Sequence, residues 1–247
     1  MQAKHYYYEH ILSILKKVHD EEKENIEKSA NIMAEAIEKG NSIYVFGASH
    51  AGILTQEMFY RAGGLALINP IMPKEVMLDV RPITQTSQME RLPGYGSIVL
   101  RQTPITEGDV LIVHSVSGRN TIALDMVFEA KKMGVQVIGI TNVSYSKQVE
   151  ARHESHKRLF EIADVVIDNC GDYEDASTKI DGLNQKVAPT SSIAGCYIVN
   201  SVLIETVELL LSRGIKPPVL HSANVDGGDE FNKEIFKKYK DKIHYMN

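Results

Sequence analysis

Two glycine-centred stretches carry side chains suited to holding a small anion. The sharper is Ser115-Val116-Ser117-Gly118-Arg119-Asn120-Thr121. Five of its seven residues can donate a side-chain hydrogen bond, and Gly118 lets the backbone close around an oxyanion. It follows the apolar run Val110–His114 and leads into a helical pattern from about Asn120 to Met133. A turn of this kind between a strand and a helix N-terminus is a phosphate cradle, because free amides and the helix dipole both favour negative charge. A simple Ser or Asn helix cap with an incidental glycine needs fewer donors than are present. The second stretch is Gly47-Ala48-Ser49-His50-Ala51-Gly52, directly after the apolar run Ile43–Phe46. It lacks the glycine spacing of a dinucleotide-binding fingerprint and the Gly-Lys-Ser/Thr of a Walker loop. A tight turn that needs glycine is its simplest alternative. His50 is the ligand candidate inside it.

The remaining titratable residues give weaker signals. His114 ends a strand and reads as core. His153 and His156 have a spacing that suits a metal, but no third ligand accompanies them. Neither a metal nor a cofactor is therefore expected. Glu90, in TSQMERLPG, reads most simply as part of an amphipathic turn.

The elements that must position these loops are legible in the apolar pattern. Tyr8, Leu12, Leu15, Ile26, Ala30, Met33 and Ile37 recur at helical steps, with a break near His19-Asp20 and a stop at Gly40-Asn41. After them, short apolar strands alternate with helices. Strands are expected at Ile43–Phe46, Leu65–Ile68, Val110–His114, Val135–Ile140 and Asp164–Asp168. Helices are expected from about Ala51 to Ala62, Asn120 to Met133 and Ser192 to Ser212. Continuous apolar strands alternating with helices mean a parallel sheet covered on both faces, with ligands at the carboxyl ends of the strands. Asn69–Thr84, Gly171–Thr190 and the tail from Ile215 read as irregular, the tail closing with a basic helix. The expected organisation is a helical segment over 1–40, an α/β domain over 41–214 and a tail over 215–247 that packs on the domain or on a partner subunit.

Composition narrows the function classes. The chain has 247 residues, 43% hydrophobic and 24% charged, which excludes disorder. A net charge of −5 argues against a nucleic-acid or membrane-surface partner. Two cysteines without metal spacing fit a cytoplasmic protein. No apolar run is expected to reach the ~20 residues of a membrane span, and the N-terminus has no signal-peptide core.

The segments FGASHAGILTQEMFYRAGG and VHSVSGRNTIALDMVFEAKKMG, followed by VQVIGITN, resemble the SIS (sugar isomerase) domain. The segment Ala188–Ser192 also resembles the start of that family's last helix. RAGGLALINP, SQMERLPG, HKRLFEIADVVIDN and HSANVDGGDEFN resemble an uncharacterised bacterial SIS-domain family of about this length. The resemblance implies a three-layer, doubly wound five-stranded parallel sheet of order 2-1-3-4-5, a phosphosugar ligand and a homodimer or higher homo-oligomer. The family's phosphate loop is Ser-x-Ser-Gly-x-Ser/Thr. Ser115, Ser117 and Gly118 match it, and Asn120 replaces the last hydroxyl. Thr121 either compensates or packs, and Arg119 either adds charge or points to solvent. Ser49 stands where many members have a second glycine after Gly47, and the resemblance gives it a sugar contact. Ala51 replaces a serine there. The family carries a catalytic glutamate on or near the helix after the first loop, which makes Glu57 the candidate base, with Glu90 as a second carboxylate candidate; His50, the ligand candidate of the first loop, is the other catalytic candidate. The implied activity is sugar-phosphate isomerisation through an enediol. A non-catalytic phosphosugar sensor and an etherase-type lyase are the alternatives.

Overall fold

The computed structural model describes residues 3–246. Helices α1 (Ala3–Glu21) and α2 (Lys23–Glu38) are separated by a break at Glu22, just after the expected one. There follow β1 (Ile43–Gly47), α3 (Ile53–Met58), β2 (Ile68–Ile71), α4 (Thr84–Met89), α5 (Tyr95–Arg101) and β3 (Val110–His114). The chain continues through α6 (Thr121–Lys132), β4 (Gln136–Thr141), α7 (Val143–Lys147) and β5 (Val165–Asp168). It closes with α8 (Ser191–Ser212) and α9 (Gly228–Lys238). The five strands form one parallel sheet of order β2-β1-β3-β4-β5, as expected.

Alternate residues of the central strands feed two cores. Ile43, Val45, Val110, Ile112, Ile138 and Ile140 face α1, α2 and α8. Tyr44, Phe46, Leu111, Val113 and Val137 face α5 and α6. Burial on both faces explains why these strands are apolar without alternation. In the pairing of β1 with β3, Gly47 lies opposite His114, so the two glycine-centred loops leave the sheet side by side. The order of strands reverses between them, which places them at the switch point where such sheets bind ligands.

Three expectations are corrected. The helix after the first loop does not run to Ala62. A 3-10 turn (Ser49–Gly52) precedes α3, which stops at Met58, and Phe59 is extended. Phe59 packs on Tyr245, and Tyr60 on Phe236 and Tyr245, so aromatic contacts with the tail outweigh the local helix preference. The second strand is Ile68–Ile71 rather than Leu65–Ile68, and Leu65 instead makes an isolated bridge to Val219. Pro70 is tolerated in β2 because that strand is at the sheet edge. Finally, α8 is long and apolar enough, by length and composition, to cross a membrane, contrary to the expectation above. Here Ala194, Ile198, Val199, Val202 and Leu210 of α8 are buried in the core, at roughly 1.5–3 kcal/mol for each large side chain.

The tail returns over the sheet edge. Asn69 donates from Nδ2 to the Lys242 carbonyl at 2.9 Å and accepts from the His244 amide at 2.7 Å, and the Tyr245 hydroxyl donates to the Ala66 carbonyl at 2.9 Å.

Candidate functional site

At the carboxyl ends of β1 and β3 lies a cleft of about 260 Å³. Its walls include Ser49, His50, Glu90, His114, Ser115, Ser117, Asn120, Tyr145, Glu174 and Asp175.

The loop after β3 is held by its carbonyls. The Ser115 carbonyl accepts from the Gly118 amide at 3.0 Å, and the Val116 carbonyl from the Asn142 amide at 2.9 Å and the Thr141 hydroxyl at 3.0 Å. The Gly118 carbonyl accepts from the Leu159 amide at 2.8 Å. Among the described residues the amides of Ser117, Arg119 and Asn120 donate to no group, so they are free for an anion. Gly118 has φ +62, and a Cβ there would sit 2.9 Å from the hydroxyls of Ser146 and Thr141. Glycine is therefore required by both conformation and space.

The first loop is built differently. A Cβ on Gly47 would meet the Ala51 carbonyl oxygen at 2.3 Å, so the turn closes only around glycine. Ser49 has φ +52, the conformation a glycine would take with ease, and its hydroxyl donates to Glu90 Oε1. Asn120 donates from Nδ2 to Glu90 Oε2. Glu90 thus ties the two loops together across the cleft. Its backbone carbonyl also accepts from the Ile122 amide in the first turn of α6, at 3.1 Å. A plain amphipathic turn has no such position, and the weak sequence signal for Glu90 came only from resemblance.

Glu57 is placed elsewhere. It pairs with Arg61 and accepts from Asn200 at 3.1 Å, in a small hollow beside Gly63 and Gly64. Thr121 is buried and directs its hydroxyl toward the Arg152 carbonyl rather than into the cleft. Gly47, Gly118 and Arg119 shape or flank the loops without lining the cleft, and His50 is exposed at its edge. His153 is buried, 3.2 Å from Asp125, and His156 is exposed, so the two do not act as a pair.

Sequence reasoning missed Tyr145, Glu174 and Asp175 as site residues. Asp175 accepts from the amides of Thr190 and Ser191 at 3.0 and 2.9 Å and from the Ser191 hydroxyl at 2.6 Å, capping α8. Glu174 and Asp175 both have positive φ, at 61 and 54. The only sequence signal was the acidity of a long polar loop.

His114 is more than core. Its Nδ1 lies 3.0 Å from the Ala51 carbonyl, which can only accept, so Nδ1 carries the proton. Its Nε2 is buried without a partner in a residue that lines the cleft. Burial holds the imidazole below its ordinary pKa, with the Ala51 carbonyl and Asp175 opposing. Nitrogen NMR of the labelled ring is expected to show a neutral imidazole, protonated on Nδ1, still present at about pH 6, below the ordinary value near 6.5. A doubly protonated ring at that pH would contradict this assignment. The group's stability contribution is present above the ordinary histidine pKa and is lost as the pH falls, because folding disfavours the proton.

A strand-end cleft built from two such loops on a 2-1-3-4-5 sheet defines a sugar isomerase-like α/β protein. The chain belongs to the SIS-domain family, whose sequence profile matches residues 6–142. The UPF0309 protein of Shouchella clausii is 53% identical over 240 residues, covering 97% of this chain and 98% of that one. The UPF0309 protein of Oceanobacillus iheyensis is 52% identical over 240 residues, with the same coverage, 97% and 98%. Among solved structures, a phosphoheptose isomerase from Francisella tularensis superposes with a TM-score of 0.54 at 16% identity, over 83% of this chain and 96% of that one. At that identity the likeness concerns the fold.

Proposed function

We propose that this cleft binds a sugar phosphate and isomerises it through an enediol. The observation that carries the binding part is the loop after β3, whose Ser115, Val116 and Gly118 carbonyls are tied down while the Ser117, Arg119 and Asn120 amides and two serine hydroxyls stay free at the start of α6. Phosphate placed there receives charge-assisted hydrogen bonds and the positive end of the helix dipole. Aldose–ketose isomerisation then needs one base that reaches two adjacent carbons. Glu90 is the carboxylate that spans the cleft, so the base role moves to it from Glu57. His114 Nε2, a buried acceptor without a partner just behind the cleft wall, adds a polar group to this end of the sheet. The isomerase chemistry in the name of the Francisella tularensis protein, on the same fold, agrees with this reading.

Self-association belongs to the same proposal. Leu12 of α1 and Ile204 and Leu211 of α8 are exposed, at 44%, 57% and 58%, and would be covered by a second copy.

The test of binding is a thermal-shift screen of sugar phosphates with the wild type and Ser117→Ala. Losing one hydrogen bond to a charged group costs about 1.5–3 kcal/mol, or roughly ten- to a hundred-fold in affinity. Ser117→Ala is expected to weaken the best ligand by about that factor and to leave the Tm of the free protein nearly unchanged. If the variant instead loses stability and keeps its affinity, the loop is a structural cap. Tight binding without proton exchange at C1 or C2 in D2O would identify a sensor rather than an isomerase.

A further inference from the structure

The carboxylate of Glu90 is held by a chain of side chains that starts outside the cleft. Arg152, in the segment after α7, opens onto the neighbouring groove between α5 and α6, beside Asp125, Phe128 and His153. It does not line the cleft, so it acts on anything bound there only through another residue.

Three links pin Arg152 to the start of α6. Its amide donates to the Arg119 carbonyl at 3.2 Å, its carbonyl accepts from the Thr121 hydroxyl at 3.5 Å, and its guanidinium donates to Asn120 Oδ1 at 2.7 Å. The first two belong to the backbone of Arg152 and survive a change of its side chain. The third decides which way the Asn120 amide faces. A guanidinium has donors and no acceptor, so it meets only the amide oxygen. With the oxygen taken, Nδ2 is turned to the other side, where it donates to Glu90 Oε2. Ser49 donates to Oε1 of the same carboxylate. The chain therefore has one direction, from Arg152 to Asn120 to Glu90.

An amide without such an anchor has no preferred end. Its oxygen and nitrogen are nearly the same size, and a half-turn about the last side-chain bond exchanges them. Turned the other way, Asn120 would set an oxygen against a carboxylate oxygen, and only a proton on Glu90 would make that contact a hydrogen bond. A donor held toward the ionised form favours it, whereas an acceptor in the same place favours the neutral form. A base must be ionised and aimed before it takes a proton from carbon. We propose that Arg152 is a positioning residue for Glu90, holding the Asn120 amide so that its donor faces the carboxylate. This rests on the reading of Glu90 as the base of the phosphosugar site and deepens it.

Carbon NMR of the labelled Glu90 carboxyl, followed through a pH titration of the free protein, tests the chain without turnover. In Arg152→Ala the Glu90 midpoint is expected to rise by about one pH unit, the effect of one weakened hydrogen bond to the charged form. The other titratable groups around Glu90 are His50, His114, Tyr145, Glu174 and Asp175 on the cleft wall, with Arg91 and Arg119 one residue from Glu90 and Asn120. All of these are unchanged in the variant. Loss of the Arg152 charge alone would push the midpoint the same way, and the Asn120→Ala background separates the two effects. There Arg152→Ala should move the midpoint no further. With fructose 6-phosphate as the probe, Arg152→Ala should lower proton exchange at C1 and C2 by roughly ten-fold or more and change affinity by less than about three-fold. An unmoved midpoint, a shift of equal size in the absence of Asn120, or exchange that keeps its wild-type rate overturns the assignment. If the wild type itself exchanges no proton on any sugar phosphate, the isomerase reading falls, and the two midpoints still decide whether Arg152 orients Glu90.

Discussion

Glu90→Gln is expected to stop proton exchange at C1 and C2 of the bound sugar phosphate while leaving the ligand bound. A positioned general base contributes about 10²–10⁴-fold to such a step. Glutamine fills the same volume and still offers an acceptor to Ser49 or Asn120, so the two loops remain tied. What it cannot do is accept a carbon-bound proton. The expected result is therefore a loss of exchange by about 10²–10⁴ with sugar phosphate affinity close to that of the wild type. Glu57→Gln is the companion variant. Glu57 is held by Arg61 and Asn200 away from the cleft, so its loss should leave exchange intact. Retained exchange in Glu90→Gln together with loss in Glu57→Gln would return the base to the helix after the first loop.

The largest effect on stability is expected from His153→Ala. His153 and Asp125 are both buried, at 9% and 6% exposure, and lie 3.2 Å apart. His153 also stacks on Phe128 at 5.1 Å between ring centroids and accepts at Nδ1 from Ser155. Removing the donor to a buried carboxylate costs about 1.5–3 kcal/mol, because the acceptor is left unsatisfied. For a domain of this size that is a fall in Tm of roughly 3–12 °C. The loss should depend on pH. Burial raises the Asp125 carboxyl above its ordinary range, and the Gly96 amide and His153 pull it back. Folding thus penalises the ionised form, so stability is full below the ordinary carboxylate pKa and falls as the pH rises through the elevated value. Without His153 that penalty grows. The gap in Tm between variant and wild type should be wider at about pH 8 than at about pH 4, as calorimetry can show. A gap of constant size would mean that His153 contributes packing alone. Asp125→Asn, which keeps an acceptor for His153 and removes the charge, should cost much less.

The pattern of apolar residues determined the sheet. Runs such as Val110–His114 and Gln136–Thr141 are buried on both faces, so their character is written into every residue. The loop after β3 was equally legible, because strand, hydroxyls, glycine and helix start are adjacent in the chain and need only local geometry to act together. Elements decided by distant partners were not legible. The stop of α3 at Met58 depends on Phe59 and Tyr60 meeting Tyr245 and Phe236, and β2 begins at Ile68 because β1 pairs with it there. The helices α4 and α5 have six and seven residues, too few to print a periodic stripe. The most consequential placements in the candidate site were of this kind. Glu90 reaches Ser49 across 41 residues and Asn120 across 30, and Arg152 reaches Asn120 across 32. Hydrogen bonds between single polar side chains leave no periodicity and no composition bias. Residue type and spacing could therefore name the loops, but only the packing of α4, α6 and the segment after α7 decided which carboxylate stands between them and which arginine reaches Asn120.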